Sequence, residues 1–254
     1  MILATVASIG PSAFRNTELT ALDLSKATSL VEIGPLAFQD TGLQGTLVIP
    51  SRVTKIGSQA FRYTRLTGLD LSGAKSLVVI GSLAFFASDL QGTLAISSRV
   101  TKIGSDAFCY TELTGLDLSG ATSLVDIGAW VFIGTGLQGT LVIPSKVTRI
   151  GSQAFRNTRL TGLDLSKATS LVEIAASAFS ATDLQGTLVI PSRVRKIGSE
   201  AFWNTRLTDL DLSGATSLVE IGERAFAETN LEATVGPVAV AHVAEEGREV
   251  DPSE

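Results

Sequence analysis

The sequence predicts an α/β solenoid, a right-handed coil of about ten repeats of 23 or 24 residues with a parallel β-sheet on its concave face. Two observations predict it. Phenylalanine follows alanine, or once valine, at spacings that alternate between 24 and 23 residues. An apolar triplet precedes each phenylalanine from Phe38 onward and alternates with period two. The phenylalanines are Phe14, Phe38, Phe61, Phe85, Phe108, Phe132, Phe155, Phe179, Phe202 and Phe226.

The repeating unit is a 47-residue pair of unequal members, and each member contains one predicted strand. The longer member reads L-T-G-L-D-L-S at residues 66–72, and the shorter reads L-Q-G-T-L-V-I-P at residues 43–50. Both alternate apolar and polar side chains, as a strand does when two side chains face inward and one outward. Stacking of these strands predicts the parallel sheet.

The segment from the glycine to the phenylalanine predicts the opposite side of the coil. Glycine follows the last isoleucine in nine of ten repeats, Ala175 being the exception, and a positive φ is the expected reason. The Ala-Phe step is predicted to be a single helical turn whose phenylalanine fills the centre of the coil. A hydroxyl residue three positions later, Thr41 for example, is expected to bond the turn backbones of adjacent coils.

The side-chain charge of the residue before each isoleucine changes sign from rung to rung. This alternation predicts a surface charge ladder that favours the correct register. The column reads Glu32, Lys55, Val79, Lys102, Asp126, Arg149, Glu173, Lys196 and Glu220.

Composition excludes several classes of function. The net charge is -5, much of it after residue 240, so there is no basic field for nucleic acid. One histidine (His242) and one cysteine (Cys109) cannot make a catalytic triad or a histidine-rich metal site. We therefore expect no enzyme activity and no cofactor. The expected domains are a solenoid at 1–240 and an acidic, disordered tail at 241–254.

The chain resembles the BspA-like leucine-rich repeats, also called the Treponema type. The carrying pattern is L-x-I-P followed by I-G-x-x-A-F, most complete at residues 46–61, 140–155 and 187–202, and the resemblance covers residues 3–235. The longer repeats depart from it with serine in place of proline, and threonine stands where the family commonly has cysteine. The resemblance implies secreted or surface-exposed binding proteins used in adhesion, without catalytic residues.

The outward strand position predicts one candidate surface, made of aspartate rows separated by apolar rows. Aspartates about 10 Å apart, twice the strand spacing, are too distant to share one metal ion. The rows fit either a strip that docks a protein or glycan, or a solvated face that keeps the molecule soluble. The aspartates are Asp23, Asp70, Asp117, Asp164 and Asp211.

Irregular residues around the phenylalanine predict a second candidate surface on four consecutive rungs between residues 59 and 133. Apolar side chains there replace the polar ones of other repeats, and contiguous exposed apolar area marks interfaces. The alternative is that these side chains fold over the turn and thicken the core, as we expect for Trp203. The candidate residues are Tyr63, Phe86, Tyr110, Trp130 and Ile133, with Leu83 and Cys109 beside them.

These features predict a non-catalytic module that binds a protein or glycan in a cell-surface or secreted protein. The alternative is a rigid spacer without its own ligand, and ice binding by the threonine row that includes Thr20 is a remote third. Self-association through uncapped ends or the apolar patch is also open. The start lacks the basic segment of a signal peptide, and no apolar run predicts membrane insertion.

Overall fold

The computed structural model describes residues 2–232, which contain eighteen parallel strands and no helix. The predicted tail at 241–254, His242 and the last residues of the predicted solenoid at 1–240 lie outside these residues. The strands are β1 (Ser8–Ile9), β2 (Glu32–Ile33), β3 (Gln44–Val48), β4 (Lys55–Ile56), β5 (Arg65–Asp70), β6 (Val79–Ile80), β7 (Gln91–Ala95), β8 (Lys102–Ile103), β9 (Glu112–Asp117), β10 (Asp126–Ile127), β11 (Gln138–Val142), β12 (Arg149–Ile150), β13 (Arg159–Asp164), β14 (Glu173–Ile174), β15 (Gln185–Val189), β16 (Lys196–Ile197), β17 (Arg206–Asp211) and β18 (Glu220–Ile221).

The chain winds into ten rungs, numbered 1 to 10 by their phenylalanines from Phe14 to Phe226. One two-residue strand from every rung joins a continuous parallel sheet in the order β1-β2-β4-β6-β8-β10-β12-β14-β16-β18. Isoleucine pairs with isoleucine throughout, for example Ile33 with Ile56. This sheet fixes the register of the solenoid, because every rung contributes the same two positions of the repeat to it.

From Leu47 onward the leucine triplets form strands as predicted, but the continuous sheet predicted there is wrong. These longer strands pair only two by two, β3 with β5, β7 with β9, β11 with β13 and β15 with β17. Each shorter-repeat strand has a bulge, such as the register shift between Gly45 and Thr46, where Gly45 adopts φ +78°. The ladder that runs unbroken through all ten rungs lies at the isoleucine column instead.

The phenylalanine column forms the centre of the core, as predicted. Neighbouring rings stack with centroids 5.1–5.5 Å apart and interplanar angles of 2–18° along the whole column. The eight rings of rungs 2 to 9 are fully buried. Each rung thus buries its ring only by stacking on its neighbours, which is the energetic logic of a repeat array.

The helical turn predicted around each phenylalanine is wrong, because the segment is a turn with alternating backbone handedness. The residues two before and two after the phenylalanine have positive φ in all ten rungs, for example Gln59 and Tyr63 around Phe61. This alternation points the N–H of Phe61 at the carbonyl of Ala84 in the next rung, 2.8 Å away. Alternate N–H groups of the turn therefore bond to the next rung, while those between them, such as Arg62 N–H to the Gln59 carbonyl, bond within the rung.

The glycine column and the hydroxyl column near this turn also have roles that differ from the predictions. The glycines after isoleucine do not have positive φ; they allow close approach, because a Cβ at Gly104 would lie 2.4 Å from the backbone nitrogen of Ser82. The hydroxyl column bonds within its own rung and does not bridge coils, since Thr41 Oγ1 donates to the Phe38 carbonyl at 2.8 Å. The backbones of adjacent turns already bond each other, which leaves that carbonyl for the hydroxyl.

The charge ladder predicted along the isoleucine sheet is confirmed. Four ion pairs join adjacent rungs, with N···O distances of 2.8–3.1 Å. Val79 on rung 4 leaves Lys55 and Lys102 without an acid between them, and these two lysines pair outward instead. The pairs are Lys55–Glu32, Lys102–Asp126, Arg149–Glu173 and Lys196–Glu220.

Candidate partner-binding surface

Three aromatic side chains from rungs 3, 4 and 5 form a line along the phenylalanine side of the solenoid, which we call the aromatic strip (Tyr63, Phe86 and Tyr110). The tyrosines follow their core phenylalanines by two positions, and Phe86 follows its own by one. Tyr63 is 43% exposed and Tyr110 is 60% exposed, while Phe86 is half-buried between them. The structure therefore brings together three of the five predicted patch residues.

The rings of the aromatic strip contact each other edge to face. The Phe86 centroid lies 5.7 Å from both tyrosine centroids, at interplanar angles of 80° to Tyr63 and 89° to Tyr110. Tyr110 also covers Gly134 on rung 6, where an added Cβ would lie 2.6 Å from the ring. The strip is therefore ridged, because adjacent rings stand at right angles to each other.

Both tyrosines occupy left-handed backbone positions. Tyr63 has φ 58° and Tyr110 has φ 55°. This conformation costs an ordinary residue about 1–2 kcal/mol, whereas glycine, asparagine and aspartate adopt it more readily. Half of the ten rungs have one of those three residues at this position. They are Asn16, Asp40, Gly134, Asn157 and Asn204.

Arg62 packs against the aromatic strip, and this contact was not predicted from the sequence. Its guanidinium carbon lies 4.4 Å from the Tyr63 centroid and 5.1 Å from the Phe86 centroid, and Nη2 donates to the Tyr63 hydroxyl at 2.8 Å. The only signal in the sequence was its position next to Tyr63, and Arg156 has the same position on a rung without aromatic neighbours. Arg62 covers one face of the Tyr63 ring and holds it in place.

The other predicted patch residues lie apart from these rings. Trp130 is 43% exposed and precedes its core phenylalanine by two positions, and no ring of residues 2–232 stacks on it. Ile133 and Leu83 are half-buried. Cys109 is buried, so its inclusion in an exposed patch was wrong, and this burial, with a smaller effect of Asp106, raises the pKa of its thiol to about 12.

The five aspartates of the longer repeats close a tight turn. In each, Oδ1 accepts the backbone N–H of the serine two residues later at 2.8 Å. The serine hydroxyl first, and the backbone N–H second, lower the pKa of all five carboxyl groups. Register places Asp70 beside the exposed Val48, which gives the predicted alternation of acidic and apolar rows. The aspartates thus have a role in the fold whether or not a partner binds there.

A second part of the chain repeats the strip's scaffold without its rings. Rungs 7 to 9 place Asn157, Ser180 and Asn204 where rungs 3 to 5 have Tyr63, Phe86 and Tyr110. We call residues 59–112 the aromatic block and residues 153–206 the plain block. The two are identical at 38 of 54 positions. The tyrosines are therefore not needed for the turn, because asparagine adopts the same positive φ at both equivalent positions.

Two further observations concern metal-binding groups and membrane-spanning helices. Within residues 2–232, no group of three or more histidine, cysteine, aspartate or glutamate side chains could hold a metal ion. The same residues contain no helix long and apolar enough to cross a membrane.

Two solved structures and one family pattern are similar to this chain. A leucine-rich repeat protein from Bacteroides ovatus is 20% identical over 89% of this chain and 69% of that chain, with a TM-score of 0.52. The pneumococcal vaccine antigen PcpA is 16% identical over 91% and 67%, with a TM-score of 0.44. No curated protein sequence matches. The pattern of the BspA type leucine-rich repeat region, in six copies, matches residues 7–138 and 125–246. The chain therefore belongs to the BspA-type leucine-rich repeat family.

Proposed function

We propose that this chain is a non-catalytic recognition module of a secreted or cell-surface protein, and that it binds a protein or glycan partner through the aromatic strip. The observation that carries the proposal is the exposure of Tyr63 and Tyr110 at left-handed positions. An exposed tyrosine there costs backbone energy that the equivalent Asn157 and Asn204 avoid. Large rings held in an unfavourable backbone conformation and open to solvent are what a binding surface requires.

The preorganisation of the strip supports the proposal. Phe86 packs against both tyrosines, and Arg62 holds the Tyr63 hydroxyl. Side chains already fixed in one arrangement lose little conformational entropy when a partner binds. Tyrosine and arginine are also enriched among the residues that dominate binding energy at interfaces.

The aspartate rows are the weaker candidate for contact with a partner. Every aspartate already closes a turn, and the rows are the same in both blocks. A uniform row offers a partner several equivalent registers, whereas the strip occurs once in the described rungs. Charge reversal of Asp70, Asp117 and Asp164 would show whether the rows contribute, if binding falls while the strip is intact.

A spacer without its own ligand is the second candidate, and the regularity of the molecule favours it. The charge ladder and the unbroken phenylalanine stack are two columns of the repeat that stiffness and register alone explain. The spacer proposal gives the aromatic strip no role, so substitutions in the strip separate the two functions.

The test is to probe a glycan array and a peptide array with the full chain and with two double variants. We expect Y63N/Y110N to lose the signals of the wild-type chain, because asparagine keeps the turn and removes the rings. The matched control N157S/N204S changes the equivalent positions of the plain block and should bind normally. Equal binding by the wild-type chain and Y63N/Y110N would place the ligand on another surface of the chain. No binding by either protein would favour the spacer.

A further inference from the structure

The spacing of the aromatic strip points to the kind of partner. Tyr63 and Tyr110 project from alternate rungs, and the two core ring spacings between those rungs are 5.3 and 5.4 Å. The ring spacings place the tyrosine positions about 11 Å apart, and two strand spacings give about 10 Å. A polyproline II helix advances about 9.3 Å per turn of three residues, so every third residue returns to the same face. Two prolines one turn apart match the two tyrosines.

The ridged shape of the strip fits such a helix better than it fits a sugar chain. Stacking along a polysaccharide uses ring faces that are free and share one plane. Here Phe86 stands at 80° and 89° to its neighbours, and Arg62 covers one face of Tyr63. Tyr63 and Tyr110, separated by the Phe86 ring, can each receive one projecting proline ring, and aromatic-lined grooves recognise proline-rich segments.

The strip also has the polar groups that a proline-rich segment needs. A polyproline II helix makes no internal hydrogen bonds, so its carbonyls are free to accept from a partner. The Tyr63 hydroxyl accepts from Arg62 and keeps its own proton for donation. The exposed Tyr110 hydroxyl is a second donor on the same line.

Charge is unequal at the two ends of the strip. Arg62 and Arg65 flank Tyr63 on rung 3, while Asp106 and Glu112 flank Tyr110 on rung 5. Asp106 is half-buried, and neither acid forms an ion pair with any residue of 2–232. In the plain block the position of Glu112 is taken by Arg206. The end of the strip at Tyr110 thus favours a basic residue of the partner.

We propose that the aromatic strip binds a proline-rich segment in the polyproline II conformation, with prolines one turn apart on Tyr63 and Tyr110 and a basic residue beside Asp106 and Glu112. This inference rests on the proposed function, since it names the partner of the same site. It predicts a linear segment of one or two turns as the minimal ligand. A folded globular partner is not required.

The experiment titrates the full chain by calorimetry with four probes. They are nine prolines followed by two arginines, two arginines followed by nine prolines, a glycine-serine peptide with the same two arginines, and the β-1,4-linked glucan cellohexaose. We expect at least one proline peptide to bind with a dissociation constant on the order of 10–100 μM, and the glycine-serine peptide at least tenfold more weakly.

Variants assign the binding to the strip. Y63N/Y110N should weaken the proline peptide at least tenfold, whereas N157S/N204S should leave it unchanged. E112R should weaken the arginine-bearing proline peptides about threefold, because it places a cation where their own charge should lie. Circular dichroism and thermal unfolding of each variant show that the fold is kept.

Three results would overturn the inference, and they separate it from the proposed function. If cellohexaose binds through the tyrosines and the proline peptides do not, the strip is a glycan site and the recognition module stands. If the arrays show strip-dependent binding but neither proline nor cellohexaose binds, the partner is of another kind. If nothing binds in either experiment, both proposals fail.

Discussion

The aromatic block and the plain block use one scaffold for different surfaces. Both have the same buried phenylalanines, the same positive φ around them and the same aspartate-closed turns. They differ where Tyr63, Phe86 and Tyr110 replace Asn157, Ser180 and Asn204. The comparison teaches that the repeat determines the fold through columns shared by every rung. A specific surface is made by the few positions that leave those columns.

The largest expected effect concerns the shared core and tests whether the scaffolds are equivalent. Phe85→Ala in the aromatic block and Phe179→Ala in the plain block should each cost about 3–5 kcal/mol of unfolding free energy, because each removes a ring stacked on both sides. Urea denaturation measures both. Losses that differ by more than about 1.5 kcal/mol would show that the blocks are not equivalent. Small differences in core packing usually change the unfolding free energy by less than this amount.

The next effect concerns the aspartate-closed turns, which both blocks share. Asp70→Ala and Asp164→Ala should each cost about 0.5–2 kcal/mol, the usual cost of losing a side-chain acceptor that caps backbone N–H groups. Thermal or urea unfolding at pH 7 measures the loss. A loss at Asp164 but none at Asp70 would mean that the turn is closed by other means in the aromatic block.

Acid should remove the same contribution in the wild-type chain. Hydrogen bonds from the serines lower the pKa of these carboxyl groups in the folded state. The stabilisation is therefore complete above the unfolded pKa of about 3.9 and is lost as the pH falls through the lower folded pKa. Unfolding midpoints measured from pH 6 to pH 2 should fall less in the double variant D70A/D164A. Parallel curves for the two proteins would contradict the assignment.

A smaller effect separates backbone strain from ring contacts. Asn157→Tyr should cost about 1 kcal/mol, because it places tyrosine at positive φ without an aromatic neighbour. Tyr63→Asn relieves the strain but loses the contacts with Phe86 and Arg62, worth about 0.5–1.5 kcal/mol, so its net change should be near zero. Thermal unfolding compares the two. A destabilisation by Y63N equal to or larger than that by N157Y would mean that strain is not the cost of the strip.

The smallest effect concerns the gap in the charge ladder. Val79→Glu introduces the acid that Glu173 supplies in the plain block, between Lys55 and Lys102. Both lysines are exposed and already paired, so the gain should be only about 0.2–1 kcal/mol. It should disappear in 1 M NaCl, where charges on the surface are screened. A gain that survives high salt would have a cause other than the ladder.

The columns shared by all rungs could be read from the sequence, and those that depend on backbone geometry could not. The ten-rung array, the phenylalanine core and the alternating charges follow from spacing alone. The continuous sheet was placed at the leucine triplet because period-two alternation marks strands but does not show which strands pair. The sequence also does not separate Gly45, which has positive φ at a bulge, from Gly104, where close approach and not φ requires glycine.

The candidate surface was predictable in outline for the same reason. Tyr63, Phe86 and Tyr110 stood out because they break a repeat. The sequence does not show that Cys109 points inward while Tyr110 points outward, since their order follows from the alternating handedness of the turn. The role of Arg62 was also hidden, because the same residue occurs as Arg156 without rings to stack on.

The most direct test is to transfer the aromatic strip to the plain block and to count the binding sites. A chain with N157Y, S180F, W203C, N204Y and R206E has at rungs 7 to 9 the residues that correspond to Tyr63, Phe86, Cys109, Tyr110 and Glu112. Calorimetric titration with the better of the two proline-arginine peptides should change from one binding site per chain to two of similar affinity. A single site in the transferred chain, with its fold intact and the wild-type chain binding one peptide, would contradict the claim that these few side chains on a shared scaffold determine recognition.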